Sequence, residues 1–147
     1  MSTSTVPDAV DGLLALLTAS TALRGVQIID GQPTQTPTKD VVAVGYAEDG
    51  AAITTSQTPR GLGNQRRAET FDIACTISAW TGAMVAKTVR DRAFAIFDAC
   101  ETAIVAGATL GGAVIYAGVT QTSVSQYQTD QGAVCDLVFT VSCESRI

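Results

Sequence analysis

The feature that most constrains this chain is a long alternating strand that turns directly into a long amphipathic helix. The apolar residues Phe71, Ile73, Cys75 and Ile77 recur at every second position, and Thr70, Asp72, Thr76 and Ser78 between them are polar. Alternation of this kind predicts a strand with one buried and one wet face. After Trp80 the Thr81-Gly82 pair breaks the strand, and a helical pattern follows from about 83 to 105. A strand and helix joined so closely share one core, which predicts a sheet packed by helices.

The helix can be phased. At 100° per residue, Val85, Val89, Ala93, Ile96, Phe97, Cys100 and Ile104 fall within an arc of about 120°, with Lys87, Asp91 and Asp98 opposite. Phe94 falls outside that arc, toward the charged side. An isolated exposed aromatic is ordinary; in an oligomer Phe94 becomes a candidate contact to a neighbour.

Other elements follow from local signals. Thr5-Val6-Pro7-Asp8 resembles a capping box with Asp in place of Glu, and Val10, Leu13, Leu14 and Leu17 then make one apolar helical stripe. Gly25 suits the position just past that helix. A short strand is expected at 26 to 30 and another at 41 to 46, where Val-Val-Ala-Val implies burial on both sides. Between them, Gly31-Gln32-Pro33 and the polar run to Lys39 form a turn-rich connection. Two more strands follow Gly107, Gly111 and Gly112, at about 114 to 128 and from Cys135 to Cys143. They should pair as a hairpin around Thr129-Asp130-Gln131-Gly132. In the first of them the apolar period slips between Gln121 and Ser123, which predicts a bulge.

Residues 47 to 68 differ from the rest. Ser, Thr, Gln, Gly and Pro fill most of the stretch, and no acidic residue lies between Asp49 and Glu69. Arg60, Arg66 and Arg67 therefore make a local positive patch on an expected long loop. Two readings stand: a solvated hairpin tip, or an arm that orders against an acidic partner surface or a neighbouring subunit.

Composition limits the function classes. The 147 residues suit one domain. An apolar fraction of 46% is enough for a core without metals or disulfides, and the charged fraction of 16% favours a homo-oligomer over a small-residue-rich monomer. A net charge of −5 argues against nucleic-acid binding over a broad surface. No apolar run is long enough to span a bilayer, and the first residues do not resemble a signal peptide, so a cytoplasmic setting is expected. The four cysteines, Cys75, Cys100, Cys135 and Cys143, include no CxxC pair, and the chain has no histidine. They read as reduced core residues.

Catalytic patterns are thin. Without histidine, triads that use it as base are excluded. There is no phosphate-binding glycine loop: Gly61-Leu62-Gly63-Asn64 lacks the following helix that would present amides to a phosphate. Glu48-Asp49 reads as a solvated loop pair rather than a cation site. No catalytic, cofactor or metal residue is expected.

The expected fold is therefore α+β, one domain over 1 to 147, with a mainly antiparallel sheet packed by two helices. The order is α-β-β-β-α-β-β, with a long loop before the third strand. That order resembles the tail-terminator (tail-completion, head–tail joining) proteins of long-tailed bacteriophages. The stretches Arg67-Ala68-Glu69-Thr70-Phe71-Asp72-Ile73, Trp80-Thr81-Gly82 and Arg90-Asp91-Arg92-Ala93-Phe94 carry the likeness, which extends over almost the whole chain. The resemblance implies a structural virion protein of the neck, assembled in the host cytoplasm. It would form a homohexameric ring that caps the head-proximal end of the tail tube, ends its polymerisation and joins it to the head. Its partners would be itself, the tail-tube protein and a head-completion or neck protein, with no enzymatic activity, cofactor or membrane. Arg60, Arg66, Arg67 and Phe94 are the candidate interface residues. A head-completion connector or a tail-tube subunit of the same phage is the nearby alternative. A small cytoplasmic ligand-binding or enzymatic α+β domain is the alternative from another class, and a pocket with convergent polar groups would favour it.

Overall fold

The computed structural model describes residues 3–32, 40–48, 50–59, 66–82, 85–129 and 132–147, and its helices pack on one face of a six-stranded sheet. The helices are α1 (Val6–Thr18) and α2 (Ala86–Ala106), with a 3-10 turn at Thr21–Leu23. The strands are β1 (Gln27–Asp30), β2 (Val41–Val44), β3 (Ile53–Pro59), β4 (Arg67–Thr81), β5 (Tyr116–Thr129) and β6 (Gly132–Arg146). Fold class and element order are those the sequence predicts, with one strand more. β3 occupies part of the stretch expected to be loop, and Arg67 opens β4 rather than sitting on a free arm. β3 escapes an apolar-period reading because six of its seven side chains are exposed and only Ile53 is aliphatic. Its threonines are β-branched, which suits extended backbone.

The sheet order is β1-β2-β4-β6-β5, with β3 also on β4, and only the β1–β2 pair is parallel. β2 and β3 share one edge of β4, against residues 75 to 78 and 67 to 73 respectively. Between them the N–H groups of Gly45 and Tyr46 donate to Ala74 O at 2.8 and 2.9 Å, and Ala74 N–H donates to Ala52 O at 2.9 Å. The two strands thus form one interrupted line along β4.

The core lies between sheet and helices. Phe71, Ile73, Cys75 and Ile77 of β4, Leu137, Phe139 and Val141 of β6, and Val42 and Val44 of β2 are buried with Leu13 and Leu17 of α1. Val89, Ala93, Ile96, Cys100 and Ile104 of α2 complete it. Phe97 stacks at a tilt on Phe139, with ring centroids 5.2 Å apart. Leu14 and Phe97 are half-buried at the rim of this core, and two further residues depart from the expected pattern. Val10 is only half-buried, and Val85 is 46% exposed because it precedes α2 as its N-cap. α1 also ends earlier than expected, at Thr18; a Ser/Thr-rich segment and the 3-10 turn intervene before Gly25. Ser and Thr compete with helical backbone bonds, and Thr18 Oγ1 donates back to Leu14 O at 2.7 Å.

The second sheet face is drier than alternation implies. Val41, Ala43, Val134 and Ser78 are buried there. Ser78 Oγ donates to Asp136 Oδ1 at 2.7 Å and Tyr127 Oη donates to Asp136 Oδ2 at 3.1 Å, so both carboxylate oxygens are occupied.

The strand–helix join is clamped from both sides. Arg92 Nη1 donates to Trp80 O at 2.7 Å and lies 3.5 Å from Asp40 Oδ1, which also accepts Trp80 N–H at 3.3 Å. On the other flank Gln126 of β5 donates to Ala86 O at 3.1 Å and accepts from Arg90 at 3.4 Å.

Candidate functional site

Arg66 and Arg67 lie at one end of the sheet. Arg60 lies outside the described residues. Arg66 is exposed just before β4, and Arg67 is half-buried within it. The Arg67 backbone exchanges two hydrogen bonds with Ile147, at 3.2 and 2.9 Å, while its side-chain Nε is buried without a partner. β6 adds Arg146, which pairs across from Ala68. Sequence reasoning missed Arg146, because only the antiparallel register of β4 and β6 brings the last residues beside Arg67.

Glu69 fixes this end of the fold. It falls in phase with Phe71 and Ile73 and is fully buried. Its Oε1 accepts from the Thr5 N–H and the Thr5 hydroxyl, both at 2.9 Å. Its Oε2 accepts from Ser4 Oγ at 2.7 Å and from Gln57 Nε2 at 2.6 Å. The local capping box expected at Thr5 is not the device used. Thr5 makes no side-chain cap to its own helix, and the carboxylate comes from β4 instead. The start of α1, β3 and β4 therefore converge on one buried charge.

The second element of the site is the sheet border. β5 lies at one end of the strand order and pairs only with β6 among the described residues. Its 14 residues, Tyr116–Thr129, contain no Lys, Arg, Asp, Glu or Pro. Natural sheet edges are usually protected by charge, proline or shortness. None of these protects β5, whose ladder is interrupted among the described residues by the register shift between Gln121 and Ser123, where the sequence predicts a bulge. Ile115, Tyr116 and Tyr127 are 52%, 59% and 47% exposed along this border. That β5 is a border strand could not be read from periodicity, which is blind to strand order.

Phe94 is 39% exposed. It lies one turn on from Arg90, which reaches Gln126 of β5, so it sits on the α2 flank that overlooks the same border. The structure thus places Phe94 on the side of α2 that faces β5, and Arg66 and Arg67 at the sheet end. Burial pushes the thiols of Cys75, Cys100 and Cys143 up to about 12, as it pushes the Tyr127 hydroxyl, helped there by Asp136. Among the described residues no group of three His, Cys, Asp or Glu side chains could hold a metal ion, and no helix is long and apolar enough to cross a membrane.

No protein-family model matches the chain, and no curated protein matches it. Among solved structures it is similar to a chain of the virion of a native gene transfer agent (GTA) particle. The two are 15% identical with a TM-score of 0.47, and the alignment covers 98% of this chain and 100% of that one.

Proposed function

We propose that this chain is a structural virion protein that closes into a ring, a hexamer on the family resemblance, and caps the head-proximal end of a phage tail tube. The observation that carries the reading is the β5 border: long, uncharged, free of proline and flanked by exposed Tyr116 and Tyr127. A subunit that works alone gains nothing from such an edge, which invites pairing with another chain. A ring built on it presents different surfaces at its two ends. One docks on the last ring of the tube and stops its growth; the other receives the head-completion protein. The arginine end, with Arg66, Arg67 and Arg146, is the candidate surface for an acidic partner, and Arg60 belongs to the same basic stretch of sequence. No residue is assigned a catalytic role.

Electron microscopy of the purified protein, alone and mixed with tail tubes, tests this. Closed rings that sit at one end of each tube and prevent further elongation are the expected result. A protein that stays monomeric and never associates with tube ends defeats the proposal, and one that polymerises into long tubes makes it a tube subunit instead.

A further inference from the structure

We propose that the start of β5, residues 116 to 119, pairs antiparallel with the outer edge of β3 in a neighbouring copy of this chain. The sheet would then run on from subunit to subunit. The inference rests on the ring reading above and names the contact that builds the ring.

Strand direction supports it first. β3 is antiparallel to β4, β4 to β6, and β6 to β5, so β3 and β5 run in opposite senses at opposite sides of the sheet. Two copies set side by side in the same orientation therefore bring β5 of one antiparallel to β3 of the next. Repeated in one sense, that contact is heterologous, the kind that closes rings.

The levels also match. Thr54 pairs with Asp72, Asp72 with Ser142, and Ser142 with Gly118, so β3 stands level with the first residues of β5. On the β3 side the border is stepped, because β1 adds one further strand outside β2, about 4.8 Å beyond it. That step begins at Asp30, which registers through Val44, Cys75 and Phe139 to Gln121. The β5 bulge lies between Gln121 and Ser123, at the same level. A bulge bends its strand. The half before it can approach β3 while the half after it turns aside from β1.

Side-chain chemistry agrees. From Thr54 to Thr58 the β3 side chains are exposed and uncharged, as are most along β5, so neither edge repels a strand where the two stand level; Pro59, which has no N–H to give, lies beyond that stretch. Exposed Ile115 and Tyr116 cluster at the half that would be covered, and an exposed tyrosine offers apolar area with a polar tip for such a contact.

The test blocks each edge separately with charge on exposed positions. One variant carries Tyr116→Lys and Thr120→Lys on β5; the other carries Thr54→Lys and Thr55→Lys on β3. Each is expected to be monomeric by light scattering, with a near-wild-type unfolding temperature. Mixed in equal amounts they should give a dimer that cannot close, because one intact junction remains. Wild-type rings with either variant still closing rings overturn the edge pairing and leave the ring reading intact. A stable dimer of the β3-blocked variant alone also overturns it, in favour of β5 pairing with itself. A monomeric wild type that stays so at tube ends defeats the ring reading itself. Hydrogen exchange on wild type gives a reading independent of folding in the variants. Amides at 53 to 56 and 116 to 119 should gain protection on assembly, and unchanged protection there sinks the proposal.

Discussion

Glu69 holds Thr5 across 64 residues of sequence, accepting both its backbone N–H and its hydroxyl on one carboxylate oxygen. The accounting at this helix start is nearly complete. Val6 N–H donates to Ser4 Oγ at 3.1 Å, Pro7 has no N–H to satisfy, and Ala9 N–H closes the first turn on Thr5 O at 2.9 Å. A buried negative charge beside the positive end of α1 is also favoured by the helix dipole. One side chain thereby decides how the amino-terminal helix meets the β3–β4 hairpin.

Removing that side chain should be costly. Glu69→Ala leaves the Thr5 N–H, the Ser4 and Thr5 hydroxyls and the Gln57 amide without their acceptor, and about 3 kcal/mol of stability should go. Equilibrium urea unfolding measures it, and a loss below about 1 kcal/mol, the usual net worth of a single hydrogen bond, would mean the network matters little.

The same carboxylate makes stability depend on pH. Burial pushes its pKa up, but hydrogen bonds from the Thr5 N–H, Gln57, Ser4 and the Thr5 hydroxyl outweigh burial and hold it below the ordinary 4.5. A depressed folded pKa contributes stability that is fully present above the unfolded value and lost as pH falls through the folded one. The stability gap between wild type and Glu69→Gln should therefore be constant near neutrality and narrow below about pH 4.5. A gap that stays the same at pH 7 and pH 3 would exclude this linkage.

Gly12 and Leu110 make the tightest test of helix packing. A Cβ on Gly12 would come within 2.1 Å of Leu110 O, and Leu110 is itself buried at a φ of 49°. Neither backbone can yield without moving α1 or the turn after α2. Gly12→Ala should cost about 1–3 kcal/mol, the range for overpacked cores. An unchanged unfolding temperature would show that the turn after α2 does not bear on α1.

The thiols should be inert in the folded protein. All four cysteines are free and buried, and burial pushes Cys75, Cys100 and Cys143 to about 12, far from the thiolate form at pH 8. The thiolate is the nucleophile, so a thiol reagent should react slowly before unfolding. In denaturant without reductant it should then return four groups per chain. Rapid native reaction or a count of two would refute this.

How much of this was legible in the sequence depends on what each element buries. β4, β6 and α2 bury regular apolar faces, so their positions, and even the Gln121/Ser123 slip, follow from periodicity. β3 buries almost nothing, and its Thr-Ser-Gln-Thr run carries no apolar period for an alternation reading to detect. A capping box is a local signal spanning four residues, whereas the acceptor that satisfies Thr5 sits in β4. A charged residue in phase with Phe71 and Ile73 was the available signal. Candidate-site residues fared by the same logic. Phe94 stood out because it broke an apolar arc, but the border it overlooks depends on strand order.

The arginine end gives the last expectation, and its design follows from burial. Arg67 is half-buried in β4 with its backbone tied to Ile147, so reversing its charge would disturb the sheet as well as the surface. Arg66 is exposed and Arg60 precedes it in the same basic stretch. Arg66→Glu should therefore shift stability by only about 0.5 kcal/mol, as exposed substitutions do, and Arg60→Glu added to it reverses a second charge of the same stretch. Docking on an acidic partner surface should weaken and do so more at low ionic strength, because exposed charges act through a screened field. Counting capped tail tubes by electron microscopy across a salt series reads both effects. Capping equal to wild type at every salt concentration, with the unfolding transition intact, would remove the arginine end from the docking surface.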